Sequence, residues 1–434
     1  MSLIVFIFLY PGAWKWDDIG ILSVVNNSMM RYWQHYLSYS FYYIALIFIP
    51  LPIGVIIFQL FVNFIIIGRI LFCIEEMLSN KRYIYWYLIG LSIYPILVYN
   101  LWPMRMSIYA FLEALFFIEV IYMCKKYTKL SIKFAIYIGS LLAILSNWRT
   151  EGFYYWIIGI ILLLRIIRRD NSYKMKCFFI VFTSILTILI YIPQSIGTHK
   201  YSGDRYEITG LIRPLVPLIY QASQDNLDLQ KIDKIFNVQK IIEGYEEGKN
   251  GGTLFWNKGE DSIIRNDYTK EEYDCLKSEY VKLIIKYPKV FIRERYDTFI
   301  SSLYNSGPRT SGLYDDSREI VIWFRESWKS NKPINLKLRT FVSRKLEGET
   351  NSISKYIWNF IPGIILIIVG LIYTMKNNRK LFLLFFAINL RTVLVFLTAP
   401  ATWFMYYYSC YIFGVIFIAY ILVYIRSKGN ERFV

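Results

Sequence analysis

Hydrophobic residues come in blocks of about 15 to 22 along the chain, the length that crosses the hydrocarbon core of a bilayer as a helix. Short polar connections separate most blocks, and one long polar segment interrupts them after residue 193. This pattern predicts about ten transmembrane helices. The predicted spans are 2–10, 44–72, 84–101, 108–124, 132–145, 153–164, 178–192, 356–374, 381–397 and 404–424.

Two of these blocks depart from the ordinary length of a span. The first, 2–10, extends only about 14 Å as a helix, roughly half of the hydrocarbon thickness. We expect either a short stub or a start that lies upstream, because the basic region and small-residue cleavage site of a signal peptide are missing. The block 44–72 is overlong and contains Pro50 and Pro52, so we expect it to begin as an interfacial segment.

Basic residues occupy every second connection between the apolar blocks. They are Lys81 and Arg82; Lys125, Lys126 and Lys129; the stretch 165–176 with Arg168 and Arg169; Lys376, Arg379 and Lys380; and Arg426, Lys428 and Arg432. Because positive charge favours the cytoplasmic side, these connections are predicted to be cytoplasmic. The alternate connections 11–40, 102–107, 147–152, 194–355 and 399–403 are then predicted to lie outside.

The polar segment divides the chain into three predicted regions. Residues 1–193 form an N-terminal transmembrane bundle with a first outer loop at 11–40, residues 194–355 form a mainly helical extracytoplasmic domain, and residues 356–434 form C-terminal transmembrane helices. Within the domain, Thr269 and Glu272 have the spacing of a capping box, and Pro288 separates one amphipathic helix from the next. The predicted fold class is an all-α polytopic membrane protein.

Composition agrees with a membrane protein and excludes several other classes. The sequence is 56% hydrophobic and 19% aromatic, and its net charge of +17 comes largely from the short basic connections, which argues against nucleic acid as a partner. Five cysteines without paired spacing and two histidines exclude a disulfide framework and a multi-histidine metal centre. The abundance of Ile, Lys, Tyr, Asn and Phe is typical of an AT-rich bacterial genome and favours a bacterial plasma membrane.

The connections predicted to lie outside carry more charge than short loops need. The residues are Asp17 and Asp18 after the first block, Arg105, Arg149 with Glu151, and Arg391 inside an apolar block. A carboxylate of the Asp17–Asp18 pair has the chemistry of a general base that takes a proton from an attacking hydroxyl. Arginines match a departing phosphate in two-pronged geometry, so the set as a whole predicts sugar transfer from a phosphate carrier.

Structural interpretations of the same residues remain open at this stage. Asp17 and Asp18 have the position of an acidic cap on an interfacial helix that begins near Ile19. Arg391 has the alternative of a structural pair with a neighbouring helix or of reaching toward the interface. Glu113 and Glu119, within the span 108–124, are predicted mainly as buried partners of arginines, with an ion path as the alternative.

The arrangement resembles the GT-C superfamily of membrane glycosyltransferases. The similar pieces are the sequence PGAWKWDD at 11–18, the turn 103–105 followed by Tyr109, and the turn WRTEG at 148–152. The resemblance implies a donor sugar linked to polyprenyl phosphate, a glycan or lipid acceptor, and a catalytic acid in the first outer loop. It implies Asp17 or Asp18 as that acid, with Arg105 and Arg149 at the donor phosphate. It leaves a divalent metal cofactor open, since only some members depend on one.

Two other functions compete with an inverting sugar transfer on the outer face. A surface-polysaccharide polymerase would use a diphosphate-linked donor, would need the outer arginines and would tolerate loss of Asp17 and Asp18. A lipid or sugar transporter would favour paired charges deep in several spans and broken helices in matching halves. No Walker loop, Gly-rich dinucleotide turn or nucleophile-elbow serine occurs in a suitable context, which argues against a nucleotide-driven pump.

Overall fold

The computed structural model describes residues 2–32, 34–126, 131–166, 173–201, 208–257, 259–265, 268–304, 319–327, 333–346 and 352–431. Within these residues the chain is all-helical and contains no strand, which confirms the predicted helical class. Four of the basic residues used to predict orientation lie outside the described residues: Lys129, Arg168, Arg169 and Arg432.

The α-helices are numbered here in chain order. They are α1 (Ser2–Phe8), α2 (Trp16–Asn26), α3 (Tyr36–Phe48), α4 (Pro52–Glu75), α5 (Ile84–Gly90), α6 (Tyr94–Asn100), α7 (Met106–Lys126), α8 (Ile132–Trp148), α9 (Phe153–Ile166), α10 (Tyr173–Tyr201), α11 (Thr209–Gln224), α12 (Gln230–Asp233), α13 (Val238–Glu246), α14 (Gly251–Phe255), α15 (Lys270–Lys286), α16 (Pro288–Tyr304), α17 (Glu319–Ser327), α18 (Leu336–Leu346), α19 (Ser352–Ile357), α20 (Ile361–Asn377), α21 (Arg379–Thr398) and α22 (Tyr408–Glu431).

Six helical stretches in the described residues are long and apolar enough to cross a membrane, which supports a multi-pass membrane protein. They are Pro52–Glu75, Met106–Lys126, Tyr173–Gly197, Ser354–Asn377, Arg379–Thr398 and Phe404–Ile425. Three shorter apolar helices, Tyr36–Phe48, Ile132–Trp148 and Phe153–Arg165, correspond to further predicted spans but have 10–17 residues.

Two predicted spans are broken in the structure. The block 44–72 divides into α3 and α4 because the chain leaves helical geometry around Pro50, and Pro52 opens the second helix. The block 84–101 divides into the seven-residue helices α5 and α6, with Pro95 in the first turn of α6. Neither block is therefore one continuous helix of the predicted length.

The chain separates into two compact units. The first comprises Met1–Ser202, Ser306–Val393 and Phe404–Val434, and the second comprises Gly203–Asn305 and Leu394–Trp403. The sequence predicted one domain over 194–355, whereas α17 and α18 belong to the first unit. Hydrophobic patterning could not place them there, because both are short amphipathic helices within the polar segment.

Helix α7 runs through the interior of the first unit, and nearly every one of its residues is buried. It packs against α4, α8 and α22, so its polar side chains face other helices. In the second unit, α11 lies at the centre of the hydrophobic core and packs against α13, α15 and α16. The predicted capping box at Thr269 and Glu272 is confirmed, as is the helix opened by Pro288.

Candidate active site around the first loop and helix α7

Residues 9–15, which join α1 to α2, form a buried segment called here the first loop. The Trp14 indole donates to the Pro11 carbonyl at 3.0 Å, and the Ala13 amide donates to the Leu101 carbonyl at 2.9 Å. Gly12 has φ +107°, and a Cβ atom there would lie 2.9 Å from the Leu101 carbonyl oxygen. A glycine is therefore required where the first loop passes the end of α6.

Helix α2 begins at Trp16, so Asp17 and Asp18 lie in its first turn, where the helix dipole favours negative charge. The Asp18 side chain is fully buried, and its Oδ2 accepts from the Lys15 amide at 3.2 Å and from the Trp102 indole at 2.6 Å. Its Oδ1 has no hydrogen-bond partner among the described residues. Asp18 thus contributes to the cap of α2, although the helix begins at Trp16 rather than near Ile19, and it presents a second oxygen that the cap does not use.

The environment of Asp18 disfavours its ionised form. Burial, followed by repulsion from Asp17, raises the pKa of Asp18 to about 7, while the indole hydrogen bond from Trp102 acts in the opposite direction. A carboxyl group with a pKa near neutrality exchanges its proton readily at physiological pH. Asp18 is therefore the residue of the predicted pair that the structure equips for acid–base chemistry.

The turn that carries Trp102 is held by a polar side chain from α4. Gln59 is fully buried, and its Nε2 donates to the carbonyls of Tyr99, Asn100 and Trp102. Two of these carbonyls belong to the last turn of α6 and have no partner within that helix, so Gln59 satisfies them. Neither Gln59 nor Trp102 was singled out from sequence, because their contacts join residues that are about 40 to 80 positions apart.

Arg105 ends the same turn, directly before α7. Its Nη1 donates to the Gln34 carbonyl at 2.5 Å, and its own carbonyl accepts from the Trp148 indole at 3.0 Å. Burial and the charge of Arg105 lower the pKa of the neighbouring His35 to about 3, so this imidazole is neutral at physiological pH. Since Trp102 and Arg105 are three residues apart, their Cα atoms are separated by at most about 11 Å.

Arg149 and Glu151, both singled out as outer charges, form an ion pair. Nε and Nη2 of Arg149 lie 2.6 and 2.5 Å from the same oxygen of Glu151. Burial raises the pKa of Glu151, but Arg149 and then Arg391 outweigh it and hold that pKa below its usual value. The Arg149 guanidinium also lies 5.8 Å from the ring centre of Tyr109 and 5.5 Å from that of Tyr406.

Arg391 reaches the same aromatic ring from α21. Its side chain is 2% exposed, and its Nε lies 3.1 Å from Glu113 on α7. The Arg391 guanidinium lies 6.0 Å from the ring centre of Tyr109 and 3.4 Å from both the Tyr406 carbonyl and the Ser409 hydroxyl. The pairing with Glu113 has the form of the structural alternative considered for this arginine.

The structure therefore gathers Arg149, Glu151 and Arg391 around Tyr109, a cluster called here the arginine cluster. The Tyr109 hydroxyl is buried and has no hydrogen-bond partner among the described residues. Tyr109 and Glu113 are four residues apart and share one face of α7, and Arg105 directly precedes the helix, four residues before Tyr109. The sequence predicted Glu113 only as a buried partner of an arginine, and the four-residue spacing is the signal that could have connected it to Arg105.

Asp18 of α2 contacts the short turn before α7 at Trp102, and the arginine cluster follows the turn along the chain, since the Tyr109 amide donates to the Arg105 carbonyl at 3.0 Å. The first supplies a carboxyl group that can accept a proton, and the second supplies guanidinium and hydroxyl donors suited to phosphate oxygens. Among the residues that the structure describes, no group of three or more His, Cys, Asp or Glu side chains is placed to hold a metal ion.

The chain was compared with protein-family models, curated protein sequences and solved structures. None of the three comparisons found a match, so the function of this chain is inferred from its own residues alone.

Proposed function

We propose that this protein is a membrane glycosyltransferase that moves a sugar from a polyprenyl-phosphate carrier to a glycan or lipid acceptor. The observation that carries the proposal is the state of Asp18: fully buried, held through one oxygen by Trp102 and Lys15, with its other oxygen unused and a pKa of about 7. A helix cap alone needs only the first oxygen. The unused oxygen is the group that a general base presents to its substrate.

In the proposed step, Asp18 accepts the proton of an acceptor hydroxyl as that oxygen bonds to the anomeric carbon of the donor. The bond between the anomeric carbon and the phosphate oxygen breaks, and polyprenyl phosphate leaves with the electron pair. The displacement inverts the configuration at the anomeric carbon. Asp18 then releases its proton to water, so the residue returns to its starting state.

The departing phosphate is assigned to the outer arginines. Arg149 uses two of its five N–H donors on Glu151, which orients the guanidinium and leaves other donors for a phosphate oxygen. The Tyr109 hydroxyl adds a further donor beside it. Arg105, directly before α7, and Arg391, on α21, complete the proposed phosphate contacts. Because each buried arginine has a fixed partner, the site is oriented before the donor arrives.

The proposal also assigns a place in the cell. The site and the segment that follows residue 193 lie on the outer face of a bacterial plasma membrane, in a chain with about ten spans. Surface cysteines test this topology. With the partly exposed Cys124, Cys177 and Cys275 replaced by serine, Lys249→Cys should react with an impermeant thiol reagent in intact cells, whereas Asn377→Cys should react only after permeabilisation. Lys249 is preferred to Gly251, where a side chain would meet the Ile212 carbonyl.

Purified protein in lipid, supplied with radiolabelled polyprenyl-phosphate sugars and an extracted surface glycan, tests the reaction. Asp18→Asn should lower turnover by about 100-fold or more with donor binding nearly unchanged, because loss of a general base usually costs 10²- to 10⁴-fold. Asp17→Asn is the matched control, since Asp17 shares the helix turn and the charge. Normal transfer by both variants would show that the acidic pair is only a cap and that the mechanism is wrong.

Arg149→Ala should weaken donor binding as well as turnover, because the guanidinium contacts the phosphate before and during its departure. Lys337→Ala, which removes an exposed cation from α18, provides the comparison. A polymerase would also depend on Arg149, but it would require a diphosphate-linked donor and would tolerate Asp18→Asn.

One observation favours transport as a second candidate function. Glu119 is fully buried within α7 and pairs with Arg69 at 2.5 Å, and charges deep in a span are a mark of ion or substrate pathways. A transporter should lose uptake of lipid-linked sugar on Glu119→Gln and keep it on Asp18→Asn. The proposed transferase should instead lose sugar transfer on Asp18→Asn and keep it on Glu119→Gln.

A further inference from the structure

We infer that Arg339, on α18, is a positioning residue that holds the first loop in the conformation from which α2 presents Asp18. The segment around Arg339 was predicted to belong to a separate outer domain, and no sequence signal connected it to the first loop. Its role in sugar transfer rests on the proposed function, whereas its role in holding the loop does not.

The contacts of Arg339 converge on the backbone of the first loop. The side chain is fully buried; Nη1 donates to the carbonyls of Leu9 and, at 2.9 Å, Tyr10, and Nη2 donates to the carbonyl of Gly12 at 3.0 Å. These three acceptors are about 330 residues away in sequence. One guanidinium therefore binds three carbonyl oxygens within four residues of the first loop.

A guanidinium suits this task better than other side chains. Its N–H donors form a rigid planar fork, so several carbonyl oxygens can be held at fixed positions at once. Leu9 and Tyr10 directly follow the end of α1, where backbone carbonyls have no partner within the helix and a cation is favourable. A lysine supplies the charge and a flexible ammonium, but not the fork.

The effect of Arg339 passes to Asp18 through a short, buried path. Beyond Gly12, the Ala13 amide is fixed to Leu101, and the Trp14 ring packs against Phe324 of α17 with ring centres 5.1 Å apart. The next residues open α2, where Asp18 meets Trp102. Helices α17 and α18 thus hold the first loop from one side, and the end of α6 holds it from the other.

Hydrogen exchange measured by mass spectrometry, on full-length protein in lipid, tests the loop directly. Arg339→Met should raise amide exchange across the first loop and the first turn of α2 by about tenfold or more, because the carbonyl contacts that hold the loop are lost. Lys337→Met, on the same helix but exposed, should leave exchange there unchanged. Unchanged exchange in Arg339→Met would overturn the inference, whatever the reaction of the protein is.

Activity then tests the connection to Asp18. In Arg339→Met, water should reach Asp18, so the midpoint of the acid limb of transfer should move below about pH 7 toward the usual carboxyl range, and turnover should fall about 10- to 100-fold. Arg339→Lys should recover part of the lost turnover and part of the shift in the midpoint. A purely structural role would lower the amount of folded protein without moving the midpoint, and that result would also overturn the inference.

Gly12→Ala perturbs the same contact from the loop side, since its Cβ would meet the Leu101 carbonyl. If Arg339 acts through this turn, Gly12→Ala and Arg339→Met should be non-additive in loop exchange. Additive effects would contradict the inference. Should the wild-type protein transfer no sugar at all, the proposed function fails, while the exchange of the first loop in these variants still decides the role of Arg339.

Discussion

The first loop region and helix α7 both bury carboxylates, but they neutralise them in opposite ways. Asp18 accepts hydrogen bonds from an indole and a backbone amide, which carry no charge. On α7, Glu113 pairs with Arg391 at 3.1 Å, and Glu119 pairs with Arg69 at 2.5 Å. The difference separates a carboxyl group whose partners carry no charge, and whose pKa is raised to about 7, from carboxyl groups that each face a guanidinium.

This difference assigns the two regions different tasks in the proposed reaction. Proton transfer requires a group whose charged and neutral forms are close in free energy, as burial brings about for Asp18. Orientation of a phosphate requires charges that stay fixed, as the paired Arg149 and Arg391 do. The two arginines that pair with α7 also differ in burial. The Arg391 side chain is 2% exposed, whereas the Arg69 side chain is 38% exposed.

The largest expected effect comes from breaking a pair on α7. Glu113→Ala leaves Arg391 buried without its carboxylate, a change that typically costs on the order of 3–5 kcal/mol. Glu119→Ala should cost less, because the partly exposed Arg69 can turn toward a polar environment. Thermal unfolding of both variants in one detergent, monitored as the loss of monodisperse protein, should show a clearly larger fall in Tm for Glu113→Ala than for Glu119→Ala. Equal falls would mean that burial of the partner does not distinguish the two pairs.

The next effect concerns pH. Since the pKa of Asp18 is raised from 3.8 to about 7, its protonated form stabilises the fold fully below about pH 4, and this contribution is lost as the pH rises to about 7. Transfer should change in the opposite sense, rising about tenfold per pH unit below about 7 and then levelling, because the ionised form is the base. Rates from pH 5 to 9 measure this limb. A limb centred near pH 4 would exclude Asp18 as the group that titrates.

The smallest effect is expected at Trp102, the uncharged hydrogen-bond donor to Asp18. Trp102→Phe removes the indole hydrogen bond that favours ionised Asp18, so the pKa of Asp18 should rise and the midpoint of the rate profile should move upward by about one unit or less. Tyr99→Phe, which removes a hydroxyl from the neighbouring aromatic ring, serves as the control. A downward shift in Trp102→Phe would mean that water entry, rather than the lost donor, controls the group.

Local features of this chain could be predicted from sequence. The capping box at Thr269 follows from side chains three residues apart, and the Arg149–Glu151 pair follows from two neighbours in one turn. The alternative in which Asp17 and Asp18 cap a helix beginning near Ile19 came close, but the helix begins three residues earlier, at Trp16, so the pair lies inside its first turn. Such features depend on a few adjacent residues and little else.

Features that depend on distant residues could not be predicted. Nothing in the composition of α18 indicates that Arg339 meets the carbonyls of the first loop, and Trp102 shows no local sign of holding Asp18. The breaks in 44–72 and 84–101 were also missed or only suspected, because hydropathy measures how apolar a block is, and not whether its backbone stays helical. Long-range packing decides these points.

The second unit has a consequence for the order in which the protein is made. Its two pieces, Gly203–Asn305 and Leu394–Trp403, are joined where buried Arg295 donates to the Ala399 carbonyl at 2.9 Å. The ribosome adds Ala399 roughly 100 residues after Arg295, on the order of ten seconds later at ordinary translation rates. During that interval Arg295 cannot form its hydrogen bond to the Ala399 carbonyl. Completion of this unit therefore depends on synthesis of nearly the whole chain. A nascent chain stopped before residue 394 should therefore hold an incomplete second unit, more open to proteases than the finished one.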